Sequence, residues 1–581
     1  MPEHPHRRSG GRPGRRVALG AAVVLLLVLA WAGFQGWRGA RELQAAAGTL
    51  TAARADLGDG ERARAQLDRA GQQTAAARRH LTDPVLRAFA AVPRLGDPLD
   101  TAAGLARAAD TTVHGALLRL VTAAGAEPGA RLTAGPGTVD VDYLASRAAP
   151  ARQAEQALQR AAATVAATPA SSGVGRVDAA RADFSDQLRE LQQVVADVAL
   201  ALDVAPSLLG QTGTQRYLVL SQSPAEARGT GGLLGGYTLL EVTDGAVSVV
   251  RSGARTDLES PGEPVVDLGA EFDDHYGANG ARNGWINSNL SPHLPYAARI
   301  WTALWERQFP EPLDGVVLLD PVALSYLMPA TGPVTLTGGE VVTADDVVDL
   351  TLKDVYARFP APSQDPQRDA LLQEVSTGVA ATLTSAEPDG RALAQGLSRA
   401  VAERRLLFWS ADQQVQARLA GTAISGTLPT GPAVGDVIVD AAGSKLDYYL
   451  ERDLRYTSGC GTGASRLALT LTNTAPTSGL PAYVTPEPLR AGRPEGTNLV
   501  LATLYVPPAS VVTGLTLDGR DVSYGQGTEL GLVWLEAQVV LEPGQSAELV
   551  ATFVEPAGSD GQVERIAQPL VREETFTATG C

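Results

Sequence analysis

Arg228, Arg255, Arg358 and Arg368 are forked cations, and Asp257 and Asp365 are carboxylates lying among them along the chain. A pyrophosphate needs several forked donors, and a magnesium ion beside it needs one or two carboxylates. The four arginines could supply the first requirement and the two aspartates the second. Each residue also has a purely architectural reading. Arg228 could pair with Glu226, two residues away. Arg255 and Asp257 could form a solvated turn. Arg358 and Arg368 fall at expected helix ends, where cations suit the dipole and surface pairs are common. Asp365 precedes a proline, the usual place for an N-cap.

The elements that would position these groups centre on Arg216–Leu258. An apolar strand pattern, Tyr217–Leu220, is followed by Arg228 and a glycine cluster at 229, 231, 232, 235 and 236. A second strand pattern runs Tyr237–Val242, and Asp244-Gly245 turns into a third, Ala246–Val250. Strand, glycine loop, hairpin and arginines together point to a site for an anion such as phosphate. The glycines also fit a kinked strand or bulge. No Walker loop, Rossmann fingerprint or nucleophilic-serine motif is present.

Composition narrows the class. The chain has 581 residues, 44% hydrophobic and 19% charged, which is globular rather than disordered. Its formal net charge of −16 argues against a nucleic-acid partner, which would need a basic face. The six histidines are scattered and the two cysteines, Cys460 and Cys581, form no CxxC pair, so no His/Cys zinc site is expected. A Cys460–Cys581 disulfide is an open alternative in an extracytoplasmic domain.

Residues 1–16 are polar and basic, and Val17–Trp37 carries no charge. That run is long enough to cross a bilayer, and the arginines before it place the N-terminus in the cytoplasm. Ala30-Trp31-Ala32 would alternatively fit a signal-peptide cleavage site. Either way the bulk is extracytoplasmic. Residues 38–205 are rich in Ala, Arg and Gln and read as a helical bundle forming a stalk. Residues 213–430 alternate helices and strands, an α/β layered core. Within it, Thr343–Tyr356 reads as a helix capped by Thr343, and Asp320 as an N-cap before Pro321. The helix bearing Trp301 and Trp305, with Leu327 and Met328, is either core or a seat for a lipid tail. Residues 437–581 read as a β-sandwich. The expected fold is thus α+β multidomain: one N-terminal transmembrane helix, a helical stalk, a layered core and a sandwich.

The runs YLVLSQSPAEARGTGGLLGGY (217–237), DGVVLLDPVAL (314–324), TADDVVDLTLKDVYARF (343–359) and KLDYYLERDLRY (445–456) resemble the bacterial membrane proteins grouped as domain of unknown function 4012. At one remove the core resembles the LytR-CpsA-Psr phosphotransferases. Arg228 matches that family's strand-proximal arginine, with Thr230 where its acid would stand. Arg255 and Asp257 are similar to its Pro-Arg-Asp motif, with Thr256 inserted, and Trp285-Ile286-Asn287 to its Lys-Ile-Asn. Arg358, Asp365 and Arg368 are similar to its late arginine region, which has a second arginine missing here. The resemblance implies a membrane-anchored cell-envelope protein that binds a polyprenyl-(pyro)phosphate-linked glycopolymer and transfers it to the cell wall. In that role Arg228, Arg255, Asp257, Arg358 and Arg368 would be catalytic, and Asp257 and Asp365 would hold Mg²⁺. The alternative is a non-catalytic envelope scaffold with a degenerate core.

Overall fold

The computed structural model describes residues 13–55, 60–90, 92, 96–124, 133–385, 389–460, 463–485, 492–559 and 561–581. The basic tail expected over residues 1–16 lies largely outside them. The chain divides into two compact units. One comprises residues 1–128 and 142–205, the other residues 129–141 and 206–581.

The first unit is helical. Pro13–Ala55 is a single helix that carries the backbone of the expected span at 17–37 onward into the bundle. Gly60–Leu81 packs along it, with Asp97–Thr112, Val141–Ala166 and Gly175–Leu208 completing the unit. The core is mostly alanine: Ala154, Ala157 and Ala161 interleave with Leu158, Leu188 and Val195. Small side chains let the helices approach closely, which explains why so few large apolar residues suffice. Among the residues described, one helix is long and apolar enough to cross a membrane, and it is Gly175–Leu208 rather than an N-terminal one. Its Leu188, Val195 and Ala199 are buried and Asp203 pairs with Arg152, while Val194 and Val198 stay exposed.

The second unit begins with a surprise in the chain order. β1 (Thr133–Gly135) and β2 (Thr138–Val139) come from the middle of the helical region. They join β3 (Gln215–Arg228), β4 (Gly231–Thr243), β5 (Ala246–Ala254), β6 (Gly315–Leu319) and, after the small ribbon β7 (Val334–Thr335) and β8 (Val341–Val342), β9 (Leu406–Ser410). The seven-stranded order is β1-β2-β5-β4-β3-β6-β9. Only β3–β6 is parallel; the other pairs are antiparallel. The layered core is therefore a mixed, mainly antiparallel sheet, with hairpins joining β1–β2, β3–β4 and β4–β5.

The helix Leu294–Gln308 is the crossover from β5 to β6, and it buries Trp301 and Trp305 completely against Leu218 and Leu318. These tryptophans are core, so the lipid-tail seat considered for them is not there. Asp320 caps the helix Pro321–Thr331 by accepting from the Ala323 N–H at 2.7 Å. The expected helix 343–356 is broken up: Val347–Asp349, a π-turn at 350–354, then Val355–Arg358. Thr343 does not cap it through its hydroxyl, which donates instead to Asp346 Oδ2 at 2.6 Å.

Eleven strands make the sandwich. They are β10 (Ala433–Asp440), β11 (Leu450–Thr457), β12 (Ser465–Asn473), β13 (Asn498–Val506), β14 (Val511–Leu517), β15 (Arg520–Asp521), β16 (Gly525–Glu529), β17 (Leu532–Leu541), β18 (Ser546–Val554), β19 (Glu564–Ile566) and β20 (Thr575–Thr579). One sheet is ordered β16-β17-β13-β10-β19, the other β15-β14-β18-β12-β11-β20. Alternation is visible along β11, where Leu450, Arg452, Leu454 and Tyr456 point inward. The hydrophobic core does not stop at the sandwich: Leu218, Trp301 and Trp305 share a cluster with Val437, Tyr505 and Trp534. The Cys460–Cys581 disulfide forms and ties the C-terminal strand to the β11–β12 turn.

Candidate functional site

The glycine cluster comes first, because it was expected to cradle an anion. Its backbone is occupied by protein. The Thr230 N–H donates to Asn289 O at 3.3 Å and the Gly232 N–H to Gln222 Oε1 at 3.1 Å. Asn289 in turn donates to Thr230 Oγ1 and to Gly232 O at 2.8 and 2.9 Å. A Cβ on Gly229 would stand 2.0 Å from Leu290 O, and one on Gly232 2.2 Å from the Ser223 carbonyl. Gly229 and Gly232 allow a tight crossing of backbone beside a bulge in the β3–β4 pair, and the N–H groups of Thr230 and Gly232 are taken by protein acceptors.

The end of β3 carries Arg228 into a buried ionic chain. Its guanidinium donates to Glu226 Oε1 at 3.0 Å, to Ala227 O at 2.9 Å and to Asp440 O at 3.4 Å, with only 6% of the side chain exposed. The other oxygen of Glu226 takes Lys445, 219 residues away. Burial works to raise the Glu226 carboxyl, but Lys445 and then Arg228 outweigh it and hold the group below its usual range. Asp447 accepts from the Ala227 N–H and from Asn498, each at 2.8 Å. Burial, reinforced by neighbouring Asp440, pushes Asp447 up to about 7.

The chain of contacts continues to Arg368. Lys445 Nζ lies 5.4 Å from the Tyr483 ring and 5.9 Å from Tyr356. Arg368 stacks on the same two rings, 3.7 Å from the centre of Tyr483, and is almost completely buried. Its guanidinium donates to Phe359 O at 3.1 Å and pairs with Asp365. Asp369, one residue on, is held above its usual range by burial; Arg368, Asp365, Arg255 and Asp257 are all close enough for their charges to act on it.

The six residues read as a site are therefore not one constellation. Arg255, Asp257, Asp365 and Arg368 gather about Asp369. Arg228 connects to them only through Glu226, Lys445 and the tyrosine pair. Arg358 makes a bidentate pair with Glu340 at 2.7 and 2.8 Å on a partly exposed face. Asp257 already accepts from the Ala254 N–H at 2.9 Å, and Asp365 is taken by Arg368. Among the described residues no group of three or more His, Cys, Asp or Glu is placed to hold a metal ion.

The architectural pairing of Arg228 with Glu226 is present, whereas sequence reasoning gave no role to Tyr356, Asp369, Asp440, Lys445, Asp447 and Tyr483. A signal was available for Lys445: it is one of two lysines in a chain whose cations are otherwise arginine, and it opens the KLDYYLERDLRY run.

Residues 212–356 match the family described as Protein of unknown function (DUF4012). The matched segment takes in β3 to β8 and the crossover helix, with Glu226, Arg228 and Tyr356 inside it and Arg368, Lys445 and Asp447 outside it. No curated protein and no solved structure matches the chain.

Proposed function

We propose that this protein is a membrane-anchored, extracytoplasmic scaffold of the cell envelope, tethered by Val17–Trp37 and working through contacts of its stalk and sandwich rather than through catalysis. The observation that carries this reading is the charge balance around Arg228. Arg228, Lys445 and Arg368 face Glu226, Asp440, Asp447, Asp365 and Asp369 within the same chain of contacts. A pyrophosphate brought there would meet carboxylates at least as numerous as cations, and buried pairs of this kind lose several kcal/mol when opened. The Cys460–Cys581 bond supports the extracytoplasmic part, since such bonds persist in oxidising compartments. In intact cells a membrane-impermeant protease should degrade the bulk of the chain, and a thiol reagent should label Cys460 and Cys581 only after a reductant is added. Labelling without reductant would count against this placement.

A second reading keeps the polyprenyl-(pyro)phosphate-linked glycopolymer as ligand, with transfer to the cell wall in the manner of LytR-CpsA-Psr enzymes. One observation favours it. Arg255 is half-buried beside Asp369 and, among the described residues, its guanidinium makes no hydrogen bond or ion pair. Saturable binding of a polyprenyl pyrophosphate that is lost in Arg255→Ala would favour this reading over the scaffold.

A further inference from the structure

The N-terminal helix offers an apolar slot at the end of its uncharged run. Leu29, Ala32, Gly33, Gly36 and Trp37 recur at the three- and four-residue spacing of one helix face. Phe89 of the helix Pro84–Ala90, Val92 and Leu99 face them across a gap of about 410 Å³. That is within the range of small-ligand sites, ~300–1,000 Å³. Glycine in a helix interior costs about 1 kcal/mol relative to alanine, and it is normally justified by a close neighbour. Gly39, one turn on, has one: a Cβ there would strike Leu81 at 2.4 Å. Gly33 and Gly36 have none, for nothing lies within 4 Å of where their Cβ atoms would be. The trough they open is flanked by exposed apolar groups, Leu29 at 46%, Trp37 at 55% and Val92 at 41%.

What surrounds the slot identifies the occupant. On one side is the uncharged run from Val17. On the other, Gln35 is already buried and bonded to His80 at 2.6 Å, so the water-facing bundle has begun. Trp31, Phe34 and Trp37 form an exposed aromatic ladder, and the guanidiniums of Arg38 and Arg41 lie over Phe34 and Trp37 at 5.5 and 5.2 Å. Aromatic rings followed by arginines mark the headgroup level of a bilayer, and the arginines there face lipid phosphate. We infer that the slot binds one acyl chain of an anionic phospholipid, with its phosphate between Arg38 and Arg41. This rests on the reading of Val17–Trp37 as the membrane anchor.

The test reconstitutes the full chain into vesicles of phosphatidylcholine and phosphatidylglycerol, measures flotation, then extracts it into detergent and counts retained phospholipid by native mass spectrometry. Wild type should float and retain one phosphatidylglycerol. The double variant Gly33→Leu/Gly36→Leu, whose Cβ positions are open and whose side chains fill the trough, should float equally, melt like wild type and retain at least tenfold less lipid. Flotation with equal lipid retention in both proteins would overturn the slot while leaving the anchor standing. Failure of the wild type to float would overturn the anchor, and the slot with it.

Discussion

Arg228 and Arg358 present the same side chain in two situations that predict different outcomes. Arg228 is buried against Glu226 and two carbonyls, and its removal leaves Glu226 with Lys445 alone and takes a buried donor from both carbonyls. Arg228→Ala should lower unfolding free energy by about 3 kcal/mol or more. Arg358→Ala removes a partly exposed pair and should cost within about 1 kcal/mol. Urea unfolding of the two variants checks the contrast; equal losses would mean Arg228 is not part of a buried network.

A second residue-scale prediction concerns Glu574. Its Oε1 and the Asp436 Oδ1 are both buried without another hydrogen-bond partner, an arrangement that predicts a proton shared between the two groups. Burial, and then the Asp436 charge, push Glu574 up to about 9. A carboxyl whose folded pKa is raised binds its proton more tightly when folded, so this stability is fully present below the unfolded value of 4.5 and is lost as pH rises toward about 9. Glu574→Gln keeps a donor toward Asp436 and does not titrate. Its urea midpoint should fall less than that of wild type between pH 6 and pH 9. Parallel pH profiles would refute the shared proton.

At the scale of elements, the glycine loop makes the sharpest prediction. Gly229→Ala puts a methyl 2.0 Å from Leu290 O and should cost about 3 kcal/mol or prevent folding. Gly235→Ala meets nothing nearer than 3.8 Å and should be nearly neutral. Thermal melts decide this, and a tolerated Gly229→Ala would mean the loop is open enough for a ligand after all. The loop also shows how far sequence reading reaches. Its glycines announce close approach, yet anion and backbone make the same demand on Cβ, and only the position of Leu290 distinguishes them. The longer sandwich strands were legible because apolar, strand-length runs such as Leu499–Val506 and Leu532–Leu541 are a local pattern. The π-turn within 343–356 was not, since one extra residue in a turn leaves the surrounding apolar pattern helical.

At the scale of the molecule, what escaped the sequence is long-range pairing. Lys445 meets Glu226, Arg405 meets Asp320 at 2.8 Å, and Thr138 of the helical region pairs with Ala246. Nothing in local periodicity fixes such partners. The continuity of the hydrophobic core from Trp305 to Trp534 has the same origin, since each strand declares an apolar face but not what covers it. The Cys460–Cys581 bond lay between these cases, with two cysteines offering one pairing and composition leaving the compartment to decide. The net effect is a second unit whose cations are largely matched inside it.

Calorimetric titration of the full-length protein with a polyprenyl pyrophosphate tests that balance directly. The account predicts no saturable heat at micromolar ligand, for wild type and Arg255→Ala alike. Micromolar binding to wild type that disappears in Arg255→Ala would contradict it.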